Sequence, residues 1–297
     1  MNILSKLIES GRLARGEYPN FIKNNVNYLC IMGSHAYGYA TSDSDKDIYG
    51  FCVPPKNIVF PEQSGLLYNF DSFPEFKSWQ EHNVEDPSNK NIYDFTIYNI
   101  VYYVKLLIDN NPNIIDSIFI PQDCILFSTP GAEKIRSARQ KFLSKKGFHK
   151  FVAYMMSQLK KLDRKPEGKR LGIVEKYGYD TKFLSHSIRL ALFIEQILME
   201  HDLDIRRHSK LLSSVRNGEW SLSKGKEWIH QKELDLQSLF IKSSLREEPN
   251  YLEIKELLLD VLAIYFGEKS VIRNEKIIIG QIQSCLNEMS DLLGKIQ

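Results

Sequence analysis

Cysteine is scarce in this chain, and what there is lies scattered. Cys30, Cys52, Cys124 and Cys285 form no Cys-x-x-Cys pair, which argues against a zinc knot or a disulfide framework and for reduced core thiols. Long apolar runs are missing too. The densest, Leu257 to Phe266, is broken by Asp260 and is too short to span a bilayer. The N-terminal stretch lacks the apolar core of a signal peptide, so the expectation is a cytoplasmic protein with no membrane association. Excess charge of either sign is absent as well. With 39 Lys and Arg against 37 Asp and Glu, the formal net charge is +2. Bulk charge therefore neither favours nor excludes a nucleic-acid partner, which has to be read from local patches. The histidines show no metal-ligand spacing such as His-Glu-x-x-His, and there is no internal repeat or low-complexity tail. What is present, 43% hydrophobic and 26% charged residues over 297 positions, is soluble globular composition with room for two ordinary domains.

The most informative segment runs from Tyr28 to Phe51. A strand-like run, Tyr28 to Met32, ends in Gly33-Ser34; a polar stretch follows, and Asp45 and Asp47 alternate before a second apolar run, Asp47 to Val53, that Pro54-Pro55 stops. Residues i and i+2 of a strand share a face, so these carboxylates stand side by side and raise each other's pKa unless a cation relieves them. Gly33 permits a turn with positive φ that exposes backbone N–H groups to phosphate, and Ser34 adds a hydroxyl. Asp45 and Asp47 suit Mg²⁺, which binds through one or two carboxylates plus substrate phosphates. A third carboxylate that activates an attacking hydroxyl is best sought at Asp94, placed at the end of a short strand over Ile92–Thr96; Asp43 and Asp71 are weaker candidates. Asp-x-Asp after a Ser/Thr-rich loop can also be plain turn chemistry. A Walker P-loop is excluded because no Gly-Lys-Ser/Thr follows, and a dinucleotide fingerprint fails for want of the third glycine. His35, inside the loop, is open to a nucleotide contact or to simple exposure.

Further along, the segment Pro61 to Asn91 reads as strands and loops in an exposed lobe. A helix starting near Ile97 ends at Asn110-Asn111-Pro112, and Ile114 to Ile120 resumes until Pro121. Strand-like segments give way to helical ones near Lys141 to Lys150. The rest reads as packed helices: a Phe148, Val152, Met155, Leu159, Leu162 stripe, a helix over Thr181–Glu200, and others through Leu257–Phe266 and Ile277–Ile296. Asp180 or Thr181 is a good N-cap. Lys182, His186 and Arg189 then fall at i, i+4 and i+7 on one helix face, a set of donors suited to phosphate oxygens that Lys165, Lys169 and Arg170 could extend. The competing reading is a solvated face, although the interleaved Glu of a salt-bridged surface helix is missing. Trp79, Trp220 and Trp228 could stack bases, with core packing the better account of each.

On these residues the chain resembles a known group. Gly33-Ser34 with Asp45-x-Asp47 flanked by hydrophobic residues is similar to the signature of the DNA polymerase β nucleotidyltransferase superfamily, and within it to the nucleotidyltransferases associated with bacterial and phage RNA-repair operons. Asn111-Pro112 followed by Asp116 resembles that group's Asn-Pro-x-x-x-Glu element, with Asp in place of Glu. Tyr154 and Gln158, then Tyr179 to Lys182 with His186 and Arg189-Leu190, and finally Gly218-Glu219-Trp220, extend the resemblance over residues 28 to 245. Tyr102 departs from it, standing where a basic residue is expected. The resemblance implies an α+β fold, with a polymerase-β-like core (a mixed β-sheet with flanking helices) over residues 1–142 and an all-helical nucleotide- and acceptor-binding domain over 143–297. It also implies Asp94 as the third metal carboxylate, Mg²⁺ or Mn²⁺ as cofactor, and an NTP, ATP by preference, as substrate. The implied reaction moves an NMP to an acceptor hydroxyl, an RNA (tRNA-like) 3′ end, with pyrophosphate leaving. A protein or small-molecule hydroxyl would use the same core. A non-catalytic nucleotide-binding toxin–antitoxin component is a reading of another class, against which the three carboxylates argue. The stripe predicts that Lys182→Ala and Arg189→Ala weaken nucleotide or acceptor binding and leave the fold intact, which binding assays and thermal melts would check.

Overall fold

The computed structural model describes residues 2–13, 18–40, 44–67, 69–73, 75–86, 88, 91–168 and 170–267. Asp43, Lys169, Cys285 and the helix expected over Ile277–Ile296 lie outside the described residues.

Five strands form one mixed sheet: β1 (Val26–Ile31), β2 (Lys46–Cys52), β3 (Ser78–Asp86), β4 (Asn91–Asn99) and β5 (Ile125–Ser128), in the order β3-β4-β2-β1-β5. β2 and β4 are parallel and the other neighbours antiparallel. In β1 five consecutive residues are buried, as a strand covered on both faces requires. Alternate side chains sort to two cores. Leu29, Ile48, Phe95 and Ile97 pack with Leu4 and Leu7 of the Ile3–Glu9 helix, while Tyr28, Cys30 and Phe51 face the helical half. That second core runs on without a break through Phe142, Leu143, Phe151, Phe193 and Val261, so the boundary expected at 142/143 falls inside buried apolar packing. Cys30, Cys52 and Cys124 are free, buried thiols. β4 is longer than the strand expected over Ile92–Thr96, which puts Asp94 in its interior rather than at its end.

Asparagines set the helix ends that lead away from the sheet. Asn99 caps Ile100–Ile108 by accepting from the Val101 N–H, and Asn111 caps Pro112–Ile118, with Pro112 in the first turn where no N–H is missed. Between them Asn110, 1% exposed, donates to the carbonyls of Leu107, Ile108 and Phe142 and accepts from the Ser144 N–H. One side chain thus ties the end of a sheet-side helix to the first residues of the helical half.

In that half the Thr181–Glu200 helix lies at the centre, packed on the Lys146–Lys160, Leu222–Lys242 and Ser209–Arg216 helices. Asp180 caps it, accepting from the N–H groups of Lys182 and Phe183. No helix among the described residues is long and apolar enough to cross a membrane.

The central position of this helix corrects one expectation. Lys182 is exposed and His186 half-buried, but Arg189 is only 3% exposed. Its Nη1 donates to Oδ2 of Asp116, which is wholly buried, and the Tyr37 hydroxyl donates to the same oxygen at 2.7 Å. The guanidinium also lies 4.3 Å from the centroid of the Tyr37 ring. Arg189 is therefore a packed ion-pair partner, not a free cation on a solvated face. Spacing placed it correctly on a stripe with Lys182 and His186, but it carried no information about what covers the stripe. Taking away one member of a buried pair strands the other charge in the core. Arg189→Ala is thus expected to destabilise the protein by about 3–5 kcal/mol, read as a lower urea midpoint at unchanged m-value. A midpoint equal to wild type would refute this account of the pair.

Candidate active site

Strand register brings two carboxylates together. In the parallel β2–β4 pair, Asp47 lies opposite Asp94, on strands spaced about 4.8 Å apart. Because Ile48 and Phe95 point to the core beneath the sheet, Asp47 and Asp94 both point to the helical half. Asp45 comes just before β2, which starts at Lys46, and is exposed. All three line a cleft of about 610 Å³. Asp94 Oδ1 accepts from the Asn83 N–H at 2.8 Å, and His82 Nδ1 lies 3.5 Å from Oδ2. Burial pushes the Asp47 carboxyl above the usual carboxylate range, and Asp94 and Asp45 push it further; Lys182 and His35 oppose them.

Among the described residues, no three His, Cys, Asp or Glu side chains converge as a ready-made metal cage. Mg²⁺ does not need one, since one or two carboxylates suffice when phosphates supply the remaining oxygens. A register pair of carboxylates carrying unbalanced negative charge fits a hard divalent cation on that basis.

The Gly33 turn is shaped around Asp47. Gly33 has φ of +66°, a backbone conformation that favours glycine, and a Cβ built on it would displace Asp47 Oδ2 from its place. The Met32 N–H donates to the Asp47 carbonyl at 2.7 Å, and the short Gly33–Ala36 helix follows with Ser34 lining the cleft. Tyr37 then enters the buried ion pair, and Arg206 Nε donates to the Ala36 carbonyl at 3.0 Å. His35 spans the loop with Nε2 3.2 Å from the Ser44 carbonyl and is not among the cleft-lining residues.

The opposite wall is cationic. Lys182, His186 and Arg189 line it as the sequence suggested, together with Arg170 and Arg216. Arg170 pairs with Asp180 at 2.9 Å and lies 3.9 Å from the centroid of the Phe183 ring. Lys182 and Arg216 have no carboxylate within ion-pairing distance among the described residues. Burial drives the His186 pKa well below its ordinary value, and Arg189, Lys182, Arg216 and Arg170 drive it the same way. The ring is therefore neutral at pH 7 and offers hydrogen bonds without adding charge. Met32, Tyr37, Tyr39, Ser44, Tyr49, Tyr154, Asn113 and Ile173 complete the lining.

Sequence reasoning missed Arg216, Tyr39, Tyr49, Asn113 and Ile173 as site residues. Arg216 precedes Asn217-Gly218, which reads only as a helix end. Asp71 accepts from the Leu67 N–H within its own lobe and does not line the cleft. Trp79 is buried in the lower core, and Trp220 packs edge-on against Trp228.

Carboxylates paired by register beside a Gly-Ser turn, facing a cationic wall, are the arrangement that the resemblance to polymerase-β-like nucleotidyltransferases implied. The chain belongs to the RNA repair pathway DNA polymerase beta family, whose model matches residues 9–247. It is similar to an uncharacterized 38.9 kDa protein of Enterobacteria phage T4, at 27% identity over 132 residues, which is 44% of this chain and 36% of the relative. The match thus spans about a third of that relative's length. A solved nucleotidyltransferase-like protein from Exiguobacterium sibiricum 255-15 aligns over 87% of this chain and 80% of its own, at 11% identity and a TM-score of 0.29. A likeness that low adds nothing to the family assignment.

The raised Asp47 pKa has a measurable sign. Folding favours the protonated form, so the stability this group contributes is present below its unfolded pKa of about 3.9 and is lost as pH rises through the folded value. At pH 7 the ionised carboxylate is a net cost, and Asp47→Asn is expected to raise the Tm of the metal-free protein. Added Mg²⁺ should then raise the Tm of wild type more than that of the variant. A variant that melts lower than wild type without metal would contradict this electrostatic account.

Proposed function

We propose that the cleft transfers a nucleoside monophosphate from an NTP, ATP by preference, to the hydroxyl of an RNA (tRNA-like) 3′ end and releases pyrophosphate. The observation that carries this reading is the register pairing of Asp47 with Asp94 across one cleft from Lys182, His186 and Arg216. A volume of about 610 Å³ suits a nucleotide. Gly33 and Ser34 bind the β- and γ-phosphates through backbone N–H groups and the hydroxyl. Lys182 and Arg216 balance the remaining phosphate charge, and His186 contributes a neutral hydrogen bond. Arg189, held by Asp116, adds fixed positive charge behind the cationic wall.

In the reaction the acceptor oxygen forms a bond to the α-phosphorus while the bond to the bridging oxygen breaks, and that electron pair leaves with pyrophosphate. Asp94 takes the acceptor's proton. Asp47 and Asp94, with Asp45 beside them on the cleft, would hold Mg²⁺ or Mn²⁺, which when bound neutralises the triphosphate and polarises the acceptor hydroxyl.

An RNA acceptor is favoured over a protein or small-molecule hydroxyl by the rim beside the cleft. Lys161 and Arg170 lie over Phe183 at 5.4 and 3.9 Å, Lys176 over Tyr177 at 4.9 Å, and Lys224 over Trp220 at 4.3 Å. Tyr177 lies against Gly218, and the Tyr179 hydroxyl donates to the Trp220 carbonyl, so the Tyr177 and Trp220 rings share one edge. Cations interleaved with aromatic rings suit a single strand, whose phosphates and bases both need partners.

Incubation with each α-labelled NTP, Mg²⁺ or Mn²⁺, and total RNA or lysate tests the reading. Label is expected in RNA, with affinity falling as salt rises, by a log–log slope of about −0.7 per contacted phosphate. Label in protein or in a small product would overturn the RNA acceptor and keep the transferase; no labelled product would overturn both. Asp47→Ala should reduce turnover about a thousandfold or more, and near-normal incorporation by that variant would remove the carboxylate from the mechanism.

A further inference from the structure

β3 carries one residue too many opposite Asp94. Up to Glu81, which faces Phe95, the strand pairs with β4 in regular antiparallel register, and regular pairing resumes where Val84 faces Tyr93. Between those pairs β4 has one residue, Asp94, and β3 has two, His82 and Asn83. That is a β-bulge. Trp79 and Val84 both reach the core beneath the sheet although they are five positions apart, an odd spacing that strict alternation forbids and one extra residue permits.

The bulge changes what faces Asp94. In a regular ladder the strand N–H groups lie in the sheet and serve neighbouring backbone carbonyls. Asn83 instead has φ of +56°, in the left-handed region that Asn tolerates better than most residues, and its N–H reaches Asp94 Oδ1 at 2.8 Å. His82, from the same bulge, flanks Oδ2 at 3.5 Å.

We propose that this bulge positions Asp94: the Asn83 N–H holds one carboxylate oxygen, fixing the orientation in which the other is presented to metal and acceptor. Asn83 and His82 are positioning residues, and the inference rests on the reading of Asp94 as a site carboxylate. Such outer contacts commonly change metal affinity or activity by about 10- to 100-fold.

Deleting Asn83 tests this cleanly. Without it Glu81 faces Phe95, His82 faces Asp94 and Val84 faces Tyr93 in unbroken alternation, so register and core are kept and only the extra N–H is lost. Full-length wild type, the deletion variant and Asn83→Gly, which keeps both N–H and backbone, are compared by Mn²⁺ titration, steady-state kinetics and thermal melts. Expected for the deletion are Mn²⁺ binding weakened about 10- to 100-fold, a matching fall in kcat and little change in KM for the NTP, while Asn83→Gly stays near wild type. A cooperatively melting deletion variant with wild-type Mn²⁺ affinity and kcat overturns the proposal. Should the deletion not fold, Asn83→Val, whose branched side chain opposes the left-handed backbone, is judged by the same two readouts. A wild type that binds Mn²⁺ but transfers no nucleotide refutes the transferase reading, and the ratio of Mn²⁺ affinities still decides the role of the bulge.

Discussion

The buried contact of Asp116 with Arg189 and Tyr37 is the constraint on which the cleft depends, because each of the three comes from a different part of the chain. Asp116 belongs to the helix started by Asn111 and Pro112, Arg189 to the central helix of the second half, and Tyr37 to the turn that follows Gly33. Such a pair is a poor source of net stability, since desolvating two charges offsets most of their attraction. Burial raises the Asp116 carboxyl pKa, with Arg189 and the Tyr37 hydroxyl opposing it, and Asp116 Oδ1 remains without a hydrogen bond. What the pair supplies is geometry. Any displacement of the Gly33 turn relative to the Lys182–His186 face breaks a charge-assisted bond in the core, so the floor of the cleft and its wall move as one.

Within that frame the two signs of charge are kept apart. The floor carries Asp45, Asp47 and Asp94, and the wall carries Arg170, Lys182, Arg189 and Arg216. Lys182 lowers the Asp47 pKa through space, yet the two make no ion pair among the described residues. Neither side neutralises the other directly. A cation on the floor and a polyanion against the wall would satisfy both, and a triphosphate with its metal has that polarity. His186 fits the same logic. A fifth positive charge would repel its neighbours, and the ring's lowered pKa keeps it neutral instead.

The parts of this site legible in the sequence were those set by local chemistry. Gly33-Ser34 after a strand, the Asn110-Asn111-Pro112 stop and the Asp180 cap are short-range signals that the structure places as read, whereas Asp45 falls just before β2 and the residue beside Asp47 is Asp94 on the neighbouring strand. Asp94 was found through its strand, although that strand is longer than alternation alone suggested. What could not be read depends on partners distant in sequence. Arg189 shares a stripe with Lys182 and His186, but only the position of Asp116, 73 residues away, makes it a buried ion-pair partner. Arg216 meets the cleft because its helix packs on Thr181–Glu200, a tertiary fact with no motif. β3 escaped definition because the extra residue at His82-Asn83 breaks the period of two by which strands are recognised.

That break and the Gly33 turn solve the same problem at neighbouring carboxylates. Asp47 and Asp94 stand side by side with like charge, an arrangement that on its own would drive the two side chains apart. Gly33, at φ +66°, leaves Asp47 Oδ2 the space a Cβ would take. Asn83, at φ +56°, delivers an N–H to Asp94 Oδ1. Both use the left-handed backbone, which for a residue other than glycine costs free energy and persists only where its surroundings enforce it. A strand without the bulge would pair more regularly, and a turn without the glycine would be stiffer in the unfolded chain's disfavour. Each departure lies beside one of two carboxylates, and each fixes where an oxygen can be. The deviations from regular structure around this cleft are therefore best understood as the means by which two repelling groups are held at one place.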